Sequence, residues 1–449
     1  MTSSTETVTS AQCPALIVSA PSSGSGKTTV TAALARYHRQ QGRKVTVFKV
    51  GPDFIDPMIL QQASGERVYQ LDLWLVGEDG CRELLHQAAQ RSDLILIEGV
   101  MGLFDGTPSS ADLAEFFNIP VLAVIDASAM AQTFAAVTYG LAHYRPGLPF
   151  AGAIANRVNT PRHQEILQSC LPPEIPFFGR LPKDSEITLP ERHLGLVQAQ
   201  ELATIDRQLD GSAAHIATTG LAVLPECVTF AAVKQTKGVM AEQPLLGTRI
   251  IIINDLAFNF IYAANIDFLT AAGADLVYCS ALHDGHLPQG DVLYIPGGYP
   301  ELYAQQLSEN QSFIADIKEF VEQQKAVVAE CGGMLYLLEQ LTDLEGKQHA
   351  MVGVLPGQAV MQKKLAAIGS QYMVLPLLGE GEDGVIRGHS FHYSTAEIAL
   401  PPIGQSKHHP TERDGEYAYQ QGNIVASYMH WYLPSNPKLA VALFSQQKN

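Results

Sequence analysis

Residues 16–29 read LIVSAPSSGSGKTT, and the fold of the first half of the chain follows from them. A short apolar run predicts a strand, a turn of small residues comes next, and Gly26, Lys27 and Thr28 open a segment with helical spacing. This order is typical of a phosphate-binding loop, because backbone N–H groups and a helix N-terminus favour anionic oxygens. Pro21 replaces the usual first glycine. An ordinary Gly/Ser-rich loop is the alternative, and the flanking strand and helix favour the phosphate site.

Further apolar runs at residues 45–48, 94–97, 121–125 and 150–155 continue this pattern. Strands that alternate with helical segments predict a parallel sheet built from right-handed βαβ units. Residues 177–182 predict a last short strand and its turn. Ligands of such sheets bind at the carboxyl ends of the strands. We therefore expect the reactive side chains of this half to follow these runs.

Four carboxylates stand where the second and third strands end. Asp53 and Asp56 follow the run at 45–48, while Glu98 begins the glycine-rich segment that contains Asp105. Mg²⁺ prefers oxygen ligands and is shared with phosphates, so carboxylates near a phosphate loop predict a magnesium site. In such a loop, Lys27 reaches the β and γ phosphates and Thr28 is a metal ligand. The alternative is that these acids cap helices or turns.

Asn156 follows the run at residues 150–155. Its amide could bind the donor and acceptor edge of adenine, or it could form an Asx turn, and its position alone does not separate the two. Farther along, residues 197–234 are rich in Ala, Leu and Gln and predict helix. The polar, poorly patterned residues that follow predict a linker.

A second α/β pattern begins at Thr248. Runs at 250–253, 276–278, 292–295 and 326–329 predict strands, and residues 261–271 predict a helix. The last two runs end in the glycine-containing turns PGGYPE (296–301) and ECGGM (330–334), and residues 335–341 predict a helix after the second turn.

Cys331 lies in the second of these turns. A strand, a tight turn, a nucleophile and a helix form an elbow, in which we expect the helix N-terminus to lower the thiol pKa. The N–H of Gly332 and an N–H turned inward at Gly298 are the predicted oxyanion donors. The alternative is an inert buried cysteine.

A thiolate also needs a base. Residues 424–429 predict a strand that delivers His430, which we therefore interpret as the base. His389 and His392 are its competitors.

Composition narrows the function class. The 449 residues carry a net charge of −16 and no run of Lys and Arg, which argues against a nucleic-acid or anionic membrane partner. Six scattered cysteines without a C-x-x-C pair indicate neither a disulfide framework nor a zinc site, and a reducing cytoplasm suits them best.

The length predicts at least two domains. We expect a disordered tail at residues 1–13, a nucleotide-binding domain at 14–234, a linker at 235–246 and a second domain at 247–449. The Ser/Thr-rich start is unlike a signal peptide. The apolar stretch 119–136 is interrupted by a proline and an aspartate, so we expect no membrane span.

Four motifs resemble the cobyrinic acid a,c-diamide synthase family, including its hydrogenobyrinic acid-using form. They are APSSGSGKTT at 20–29, GPDFIDP at 51–57, EGVMGLFDG at 98–106 and ECGGM at 330–334, and the resemblance extends from residue 15 to about residue 444. It implies an α/β fold in two parts: an N-terminal P-loop, dethiobiotin-synthetase-like parallel-sheet domain and a C-terminal class I glutamine amidotransferase-like α/β domain.

The resemblance also implies a reaction and residue roles. ATP phosphorylates corrin acetate carboxylates, and ammonia from glutamine converts them into the a and c amides. The implied substrates are thus a corrin polycarboxylate, ATP and glutamine, with Mg²⁺ as the cofactor, and a homodimer is left open. The implied sites are ATP at Ser23, Gly24, Ser25, Gly26, Lys27, Thr28, Thr29 and Asn156; metal at Thr28, Asp53 and Glu98; substrate at Asp56 and Asp105; an oxyanion at Gly298 and Gly332; and catalysis at Cys331 and His430.

Two departures matter. Tyr432 stands where many class I glutaminases have a glutamate two residues after the base, so another group must orient His430. Ser390 stands where the branch often has glutamate, in GHSFHY at 388–393.

Other functions compete with this interpretation. Within the class, cobyric acid synthase and nickel-sirohydrochlorin diamide synthase are the alternatives. Outside it stand a partitioning-type regulatory ATPase with an idle second domain and a protein-binding scaffold. The intact turn at Cys331 disfavours the ATPase, and Lys27, Glu98, Cys331 and His430 together disfavour the scaffold.

Overall fold

The computed structural model of the protein describes residues 10–184, 205–233, 242–378 and 384–445. The chain divides into two compact units, Met1–Gln235 and Thr236–Asn449. The predicted linker lies partly outside the described residues. Within the described ranges, no helix has both the length and the apolar character needed to cross a membrane.

The first unit is built on a parallel sheet with strand order β3-β2-β4-β1-β5-β6-β7, and β8 pairs with β1 in the antiparallel sense. Its strands are β1 (Ser10–Ser19), β2 (Val45–Lys49), β3 (Tyr69–Gln70), β4 (Leu94–Glu98), β5 (Val121–Asp126), β6 (Phe150–Asn156), β7 (Phe177–Arg180) and β8 (Cys227–Ala231). All of the strands predicted in this half are present. Leu94 and Leu96 pack into one core and Ile95 and Ile97 into another, as expected of a parallel strand buried on both faces.

Seven α-helices accompany this sheet among the described residues: α1 (Lys27–Gln40), α2 (Ile55–Ser64), α3 (Glu78–Arg91), α4 (Ser110–Phe117), α5 (Thr133–His143), α6 (Pro161–Cys170) and α7 (Ile205–Ile216). Helix α1 follows the phosphate loop and buries Val30, Ala33 and Leu34, which recur at helical spacing.

Two predictions for this half need correction. The disordered tail was predicted to reach residue 13, but β1 begins at Ser10 because its first residues form a ladder with β8, from Ser10 opposite Ala231 to Pro14 opposite Cys227. Residues 197–234 were predicted to be helical throughout. Residues 197–204 and 234 lie outside the described part, and the rest contains α7 and then β8, in which exposed and buried residues alternate as in a half-buried strand.

The second unit contains a ten-stranded mixed sheet with order β10-β9-β11-β12-β21-β20-β19-β16-β17-β22 and a four-stranded sheet with order β14-β13-β15-β18. In the ten-stranded sheet, the neighbours β10, β9, β11, β12 and β21 pair in the parallel sense. The remaining pairs, from β21–β20 to β17–β22, are antiparallel. The strands are β9 (Arg249–Ile253), β10 (Asp275–Cys279), β11 (Val292–Ile295), β12 (Ala326–Glu330), β13 (Leu338–Thr342), β14 (Gln348–Ala350), β15 (Leu355–Met361), β16 (Ala367–Val374), β17 (Val385–His392), β18 (Ser394–Ile398), β19 (Pro402–His408), β20 (Asp414–Gln421), β21 (Ile424–Ser427) and β22 (His430–Trp431).

Its α-helices in the described ranges are α8 (Ala263–Ala271), α9 (Ala304–Glu309), α10 (Gln311–Glu322), α11 (Gly332–Leu337) and α12 (Pro437–Phe444). The helix predicted at 335–341 is wrong in its bounds. Helix α11 begins directly after Cys331, and the chain then turns into β13, whose Leu338 and Leu341 are buried in the core. The predicted strand at 424–429 ends at Ser427, and His430 belongs to the separate strand β22.

Candidate active sites

The phosphate loop joins β1 to α1 as predicted. Gly26 caps α1 with φ +93°, and a Cβ at this position would lie 2.1 Å from Nδ2 of Asn156. Only glycine satisfies both the backbone conformation and the close approach. Ser25 is buried beside it, and the loop presents Ser23 and Gly24 at its exposed tip. The loop therefore turns into a helix N-terminus through a glycine, as is typical of phosphate loops, and nucleotide binding by Ser23 to Thr29 stays a prediction.

Lys27 joins this loop to the segment that follows β4. Its Nζ donates to the carbonyl oxygens of Met101 (2.5 Å) and Ser22 (3.3 Å). Leu103 N–H donates to Ala20 O (2.8 Å), which fixes the second segment against the first. The ammonium group thus bridges the phosphate loop and the segment after β4, and its contact with phosphate stays a prediction.

A buried charge cluster lies at the carboxyl ends of β2 and β4. Lys49 Nζ is 2.8 Å from Glu98 Oε1, 2.7 Å from Asp56 Oδ2 and 4.0 Å from Asp53 Oδ2. Thr28 Oγ1 donates to the same Glu98 oxygen at 2.9 Å. Three of the four predicted carboxylates therefore meet around one lysine. Lys49 was not predicted, although a lysine that ends the run VTVF was the available signal.

The donors present fit a hard cation. Glu98 is fully buried, and its Oε2 has no hydrogen-bond partner among the described residues. A buried carboxylate oxygen without a partner is costly, and a cation held together with Thr28 would satisfy it. No cluster of three or more acidic, histidine or cysteine side chains suited to a metal was found in the described part. Mg²⁺ commonly uses one or two carboxylates together with phosphate oxygens and water, so such a cluster is not required.

Asp53 and Asp105 also form capping contacts, which is the structural role that the sequence allowed as an alternative to metal or substrate binding. Asp53 Oδ1 accepts from the N–H groups of Ile55 (2.8 Å) and Asp56 (3.2 Å) at the start of α2. Asp105 is exposed, and its Oδ2 accepts from Gly102 N–H (3.0 Å). Their roles toward metal and substrate stay predictions.

Asn156 supports the phosphate loop from behind. Its Nδ2 donates to Ser25 O (2.9 Å), and its Oδ1 accepts from the N–H of Arg157 (3.0 Å). The side chain is buried. It therefore positions the loop, and a contact with adenine stays a prediction.

The second unit has the predicted elbow between β12 and α11. Cys331 has φ +45° and ψ −109°, a strained conformation for a residue with a side chain that costs roughly 1–3 kcal/mol. Its N–H donates to Ser427 O (2.7 Å), and its carbonyl accepts from Leu335 N–H (3.1 Å). Neighbouring structure on both sides therefore holds the strained residue in place.

The two predicted oxyanion donors lie side by side. A Cβ on Gly332 would be 3.0 Å from the backbone N of Gly298 and 2.8 Å from Pro300 Cδ. A Cβ on Gly297 would be 2.1 Å from Cε1 of His430. The glycine pair thus lies between the elbow and the histidine, and no larger residue fits there without movement.

The thiol differs from the prediction in one respect. Burial raises the pKa of Cys331, with a smaller contribution from the carboxylate of Glu301, and the Gly332 N–H offsets only part of this rise. We expected the helix N-terminus to lower this pKa. Helix α11 has six residues and the side chain is only 5% exposed, so desolvation outweighs the helix.

His430 is buried between two groups. Its Nδ1 lies 3.9 Å from Glu330 Oε2, and its ring stacks on that of His389 with centroids 4.9 Å apart. Burial, aided by His389 and His392, lowers the pKa of His430 well below its usual value. The ring is therefore neutral at neutral pH, as a base must be.

The two competing histidines have other partners. His392 makes contacts through both ring nitrogens, with Ser394 O at 2.9 Å and Glu416 Oε1 at 3.0 Å. His389 Nδ1 is 2.5 Å from the hydroxyl of Tyr262. The geometry therefore favours His430 as the base. No role was predicted for Glu330 in the motif ECGGM. The available signal was that this glutamate ends the strand directly before Cys331.

Comparison with known proteins covers both units. A CobQ/CobB/MinD/ParA nucleotide binding domain matches residues 16–197, and a CobB/CobQ-like glutamine amidotransferase domain matches residues 249–438. The fold class predicted from the sequence is thereby confirmed.

Three similar proteins align over nearly the whole chain. A hydrogenobyrinate a,c-diamide synthase from Pseudomonas aeruginosa is 50% identical and covers 98% of this chain and 100% of the relative. A protein of the same name from Stutzerimonas stutzeri is 53% identical, with coverage of 97% and 99%. A cobyrinate a,c-diamide synthase from Herminiimonas arsenicoxydans is 45% identical, with coverage of 96% and 97%.

Proposed function

The chain belongs to the cobyrinate and hydrogenobyrinate a,c-diamide synthase family, and we propose from this premise that its two candidate sites divide one amidation between them. The protein is a glutamine-dependent amidating ligase of cobalamin biosynthesis that uses ATP. The observation that carries the division is that a phosphate loop with its lysine lies in one unit and a cysteine elbow with its histidine in the other.

The first site activates a carboxylate. An oxygen of an a or c acetate group attacks the γ-phosphorus of ATP, ADP leaves, and an acyl phosphate forms. Ammonia then attacks the acyl carbon and inorganic phosphate leaves, which yields the amide. Lys27 and the loop N–H groups stabilise the charge on the transferring phosphoryl group. Asp56 and Asp105 face the tetrapyrrole in this proposal.

Mg²⁺ is the proposed cofactor of this step. Thr28 and Glu98 would hold it, with Asp53 as a further ligand, and the cation would neutralise charge on the phosphates. The support is the buried Glu98 Oε2, which has no hydrogen-bond partner in the described part of the chain and belongs to the carboxylate that the Thr28 hydroxyl contacts. Lys49 pairs with Asp56 and Glu98 and holds their side chains in place.

The second site releases ammonia. The Sγ of Cys331 attacks the side-chain amide carbon of glutamine, and His430 takes the thiol proton and passes it to the departing ammonia. The N–H groups of Gly298 and Gly332 hold the oxyanion. Water then hydrolyses the thioester to glutamate and restores the thiol.

We propose hydrogenobyrinate, the metal-free tetrapyrrole, as the preferred substrate. The support is that the relatives that are 50% and 53% identical carry that name, whereas the cobyrinate enzyme is 45% identical. Mass spectrometry of products formed from metal-free and cobalt-loaded substrate would test this choice. Faster turnover of the cobalt form would contradict it.

Two broader properties are also proposals. Six scattered cysteines, none of them paired in a disulfide, favour a cytoplasmic location. A homodimer stays a prediction, which sedimentation of the purified protein would check.

The division of labour is tested with Cys331→Ala. Glutamine-dependent diamide formation should be lost, because no thioester can form, while synthesis from a high concentration of ammonium salt should persist. His430→Asn should show the same pattern less completely. Cys279→Ala is the matched control, since Cys279 is another buried thiol of the second unit and should be dispensable. Loss of ammonium-dependent synthesis in a folded Cys331→Ala protein would overturn the division.

A further inference from the structure

Glu330 is the last residue of β12 and directly precedes the nucleophile. Its side chain is 1% exposed. Oε1 accepts from the N–H of Trp431 (3.2 Å), and Oε2 accepts from the hydroxyl of Tyr294 (3.1 Å). Both of these neighbours are donors. A carboxylate offers about four acceptor positions, so this one has room for a third donor.

His430 Nδ1 is the nearby group that can be that donor. It lies 3.9 Å from Oε2 of Glu330, which is within ion-pair range but longer than a hydrogen bond. Hydrogen bonds between catalytic groups are often long before substrate binds and shorten in the complex. Trp431 ties the two residues together, because its N–H binds Glu330 and it directly follows His430.

Other groups near His430 are less suited to hold its ring edge. Tyr432, two residues later, packs edge-on against Tyr262 with centroids 5.4 Å apart. His389 stacks on His430 with 19° between the ring planes. Imidazole nitrogens form hydrogen bonds in the ring plane, so a stacked partner cannot receive Nδ1–H.

We propose that Glu330 is the positioning residue of the second site: its carboxylate accepts Nδ1–H of His430 and thereby leaves Nε2 as the base for the Cys331 thiol. The inference rests on the proposed glutaminase function of Cys331 and His430. The acid that many related glutaminases carry after the histidine is here supplied from the residue before the nucleophile.

The protonation state of Glu330 determines whether its carboxyl group can accept a hydrogen bond from Nδ1 of His430. Burial raises the pKa of Glu330 to about 8, so the acid is largely protonated at neutral pH and presents a donor to Nδ1. Loss of that proton converts Glu330 into the acceptor, and glutaminase activity should therefore rise with pH through this range. The other titratable groups around the pair are Tyr294 on β11, Tyr262 before α8, His389 and His392 on β17, and Cys331.

The test variant is Glu330→Gln. The amide oxygen can still accept from Trp431, but the NH₂ group would donate to Nδ1 of His430 and hold the proton on Nε2, where it blocks the base. We expect kcat of glutamine hydrolysis to fall by about 10²–10³-fold, with KM for glutamine changed by less than about threefold. The rise of activity between pH 7 and 9 should also disappear or shift upward.

Two further variants separate positioning from folding. Tyr294→Phe removes one donor to Glu330 and should shift the pH profile by a smaller amount in the same assay. Asp343→Asn is the matched control, because it changes a second His–carboxylate pair of the same unit, with His349 at 2.9 Å, and should leave kcat unchanged. Ammonium-dependent diamide synthesis should stay within about twofold of wild type in all three variants.

The outcomes are distinct. If Glu330→Gln keeps its glutaminase kcat and pH profile within about threefold of wild type, the inference is overturned. It is equally overturned if the variant loses ammonium-dependent synthesis as well, since Glu330 then serves the fold. If Cys331→Ala, assayed in parallel, still hydrolyses glutamine, the proposed function fails and takes the inference with it.

Discussion

Lys49 in the first unit and Cys331 in the second are both buried reactive groups at the end of a parallel strand, yet their surroundings differ in kind. Lys49 lies within 4.0 Å of three carboxylates, so its charge is paired. Around Cys331 and His430, burial instead shifts both pKa values toward the neutral form. The first site thus contains paired charged groups, whereas burial in the second favours uncharged side chains.

The contrast matches the chemistry proposed for each site. Phosphoryl transfer begins and ends with charged oxygens, so fixed cations and carboxylates in a preorganised array stabilise every stage of it. A thiol attack needs an ion pair only during the reaction, and a resting thiol is protected from oxidation while it stays protonated. Both sites thus lie at the ends of parallel strands, but the first pairs its charged groups whereas burial in the second favours neutral ones.

Removal of the phosphate lysine should have the largest effect. Lys27→Ala should lower diamide synthesis by about 10³-fold with either glutamine or ammonium as donor, because the charge on the transferring phosphoryl group is lost. Glutamine hydrolysis should persist. Lys44→Ala, which changes a half-exposed lysine of the same unit, is the control and should be near wild type in steady-state assays. If Lys27→Ala lost diamide synthesis with glutamine but kept it with ammonium, the contrast drawn between the two sites would be wrong.

The paired charges should also matter for stability. Lys49→Met leaves Glu98 and Asp56 buried without their cation and should lower the free energy of unfolding by about 3 kcal/mol. Lys44→Met removes only an exposed contact with Glu66 at 3.9 Å and should cost less than about 0.5 kcal/mol. Urea unfolding of both variants measures the difference. Equal losses would mean that the buried cluster contributes no more than a surface pair.

A metal ligand can be separated from a structural acid with Glu98→Gln. The amide retains the shape but loses the anionic oxygen, so the Mg²⁺ concentration for half-maximal diamide synthesis should rise by about tenfold or more. Titration of activity with Mg²⁺ at saturating ATP is the measurement. An unchanged Mg²⁺ dependence would mean that Glu98 is not a metal ligand and that its role is purely structural.

The smallest effect concerns pH and the second unit. Just below pH 6.5 the unfolded chain carries one proton on His430, while the folded chain carries one on Glu330, so the pair adds no slope. Above pH 6.5 the unfolded chain has lost both protons and the folded chain keeps one until about pH 8, so stability should fall as pH rises. Thermal unfolding at pH 6.5 and 8 should show this decline in wild type and less of it in Glu330→Gln.

The sequence predicted the parallel strands and the two loops well, because each rests on a local pattern. The run LILI of β4 is apolar on both faces, and the glycines within residues 21–26 permit the positive φ angles that the loop requires. The residues that ended up around Glu98 and Cys331 were mostly those quoted from the motifs. The roles of Lys49 and Glu330 could not be predicted, because they depend on contacts between segments that are far apart in the sequence.

Long-range pairing explains the remaining errors. Strand β1 starts earlier than predicted because β8, more than 200 residues later, forms a ladder with it. The antiparallel strands β16, β19 and β20 lack the uniform apolar runs of the parallel strands, since each of them has exposed residues. The pKa of Cys331 was wrongly expected to fall because a motif shows the turn but not how completely the fold buries it.

The ladder between β1 and β8 has a consequence for how such chains can be assembled. It places Ser10 opposite Ala231, so the first and the last strand described in the first unit are neighbours in one sheet. A unit with adjacent ends can be excised, permuted or joined to another catalytic module without rethreading its core. The fold of the first unit therefore does not itself require that this unit come before the second along the polypeptide.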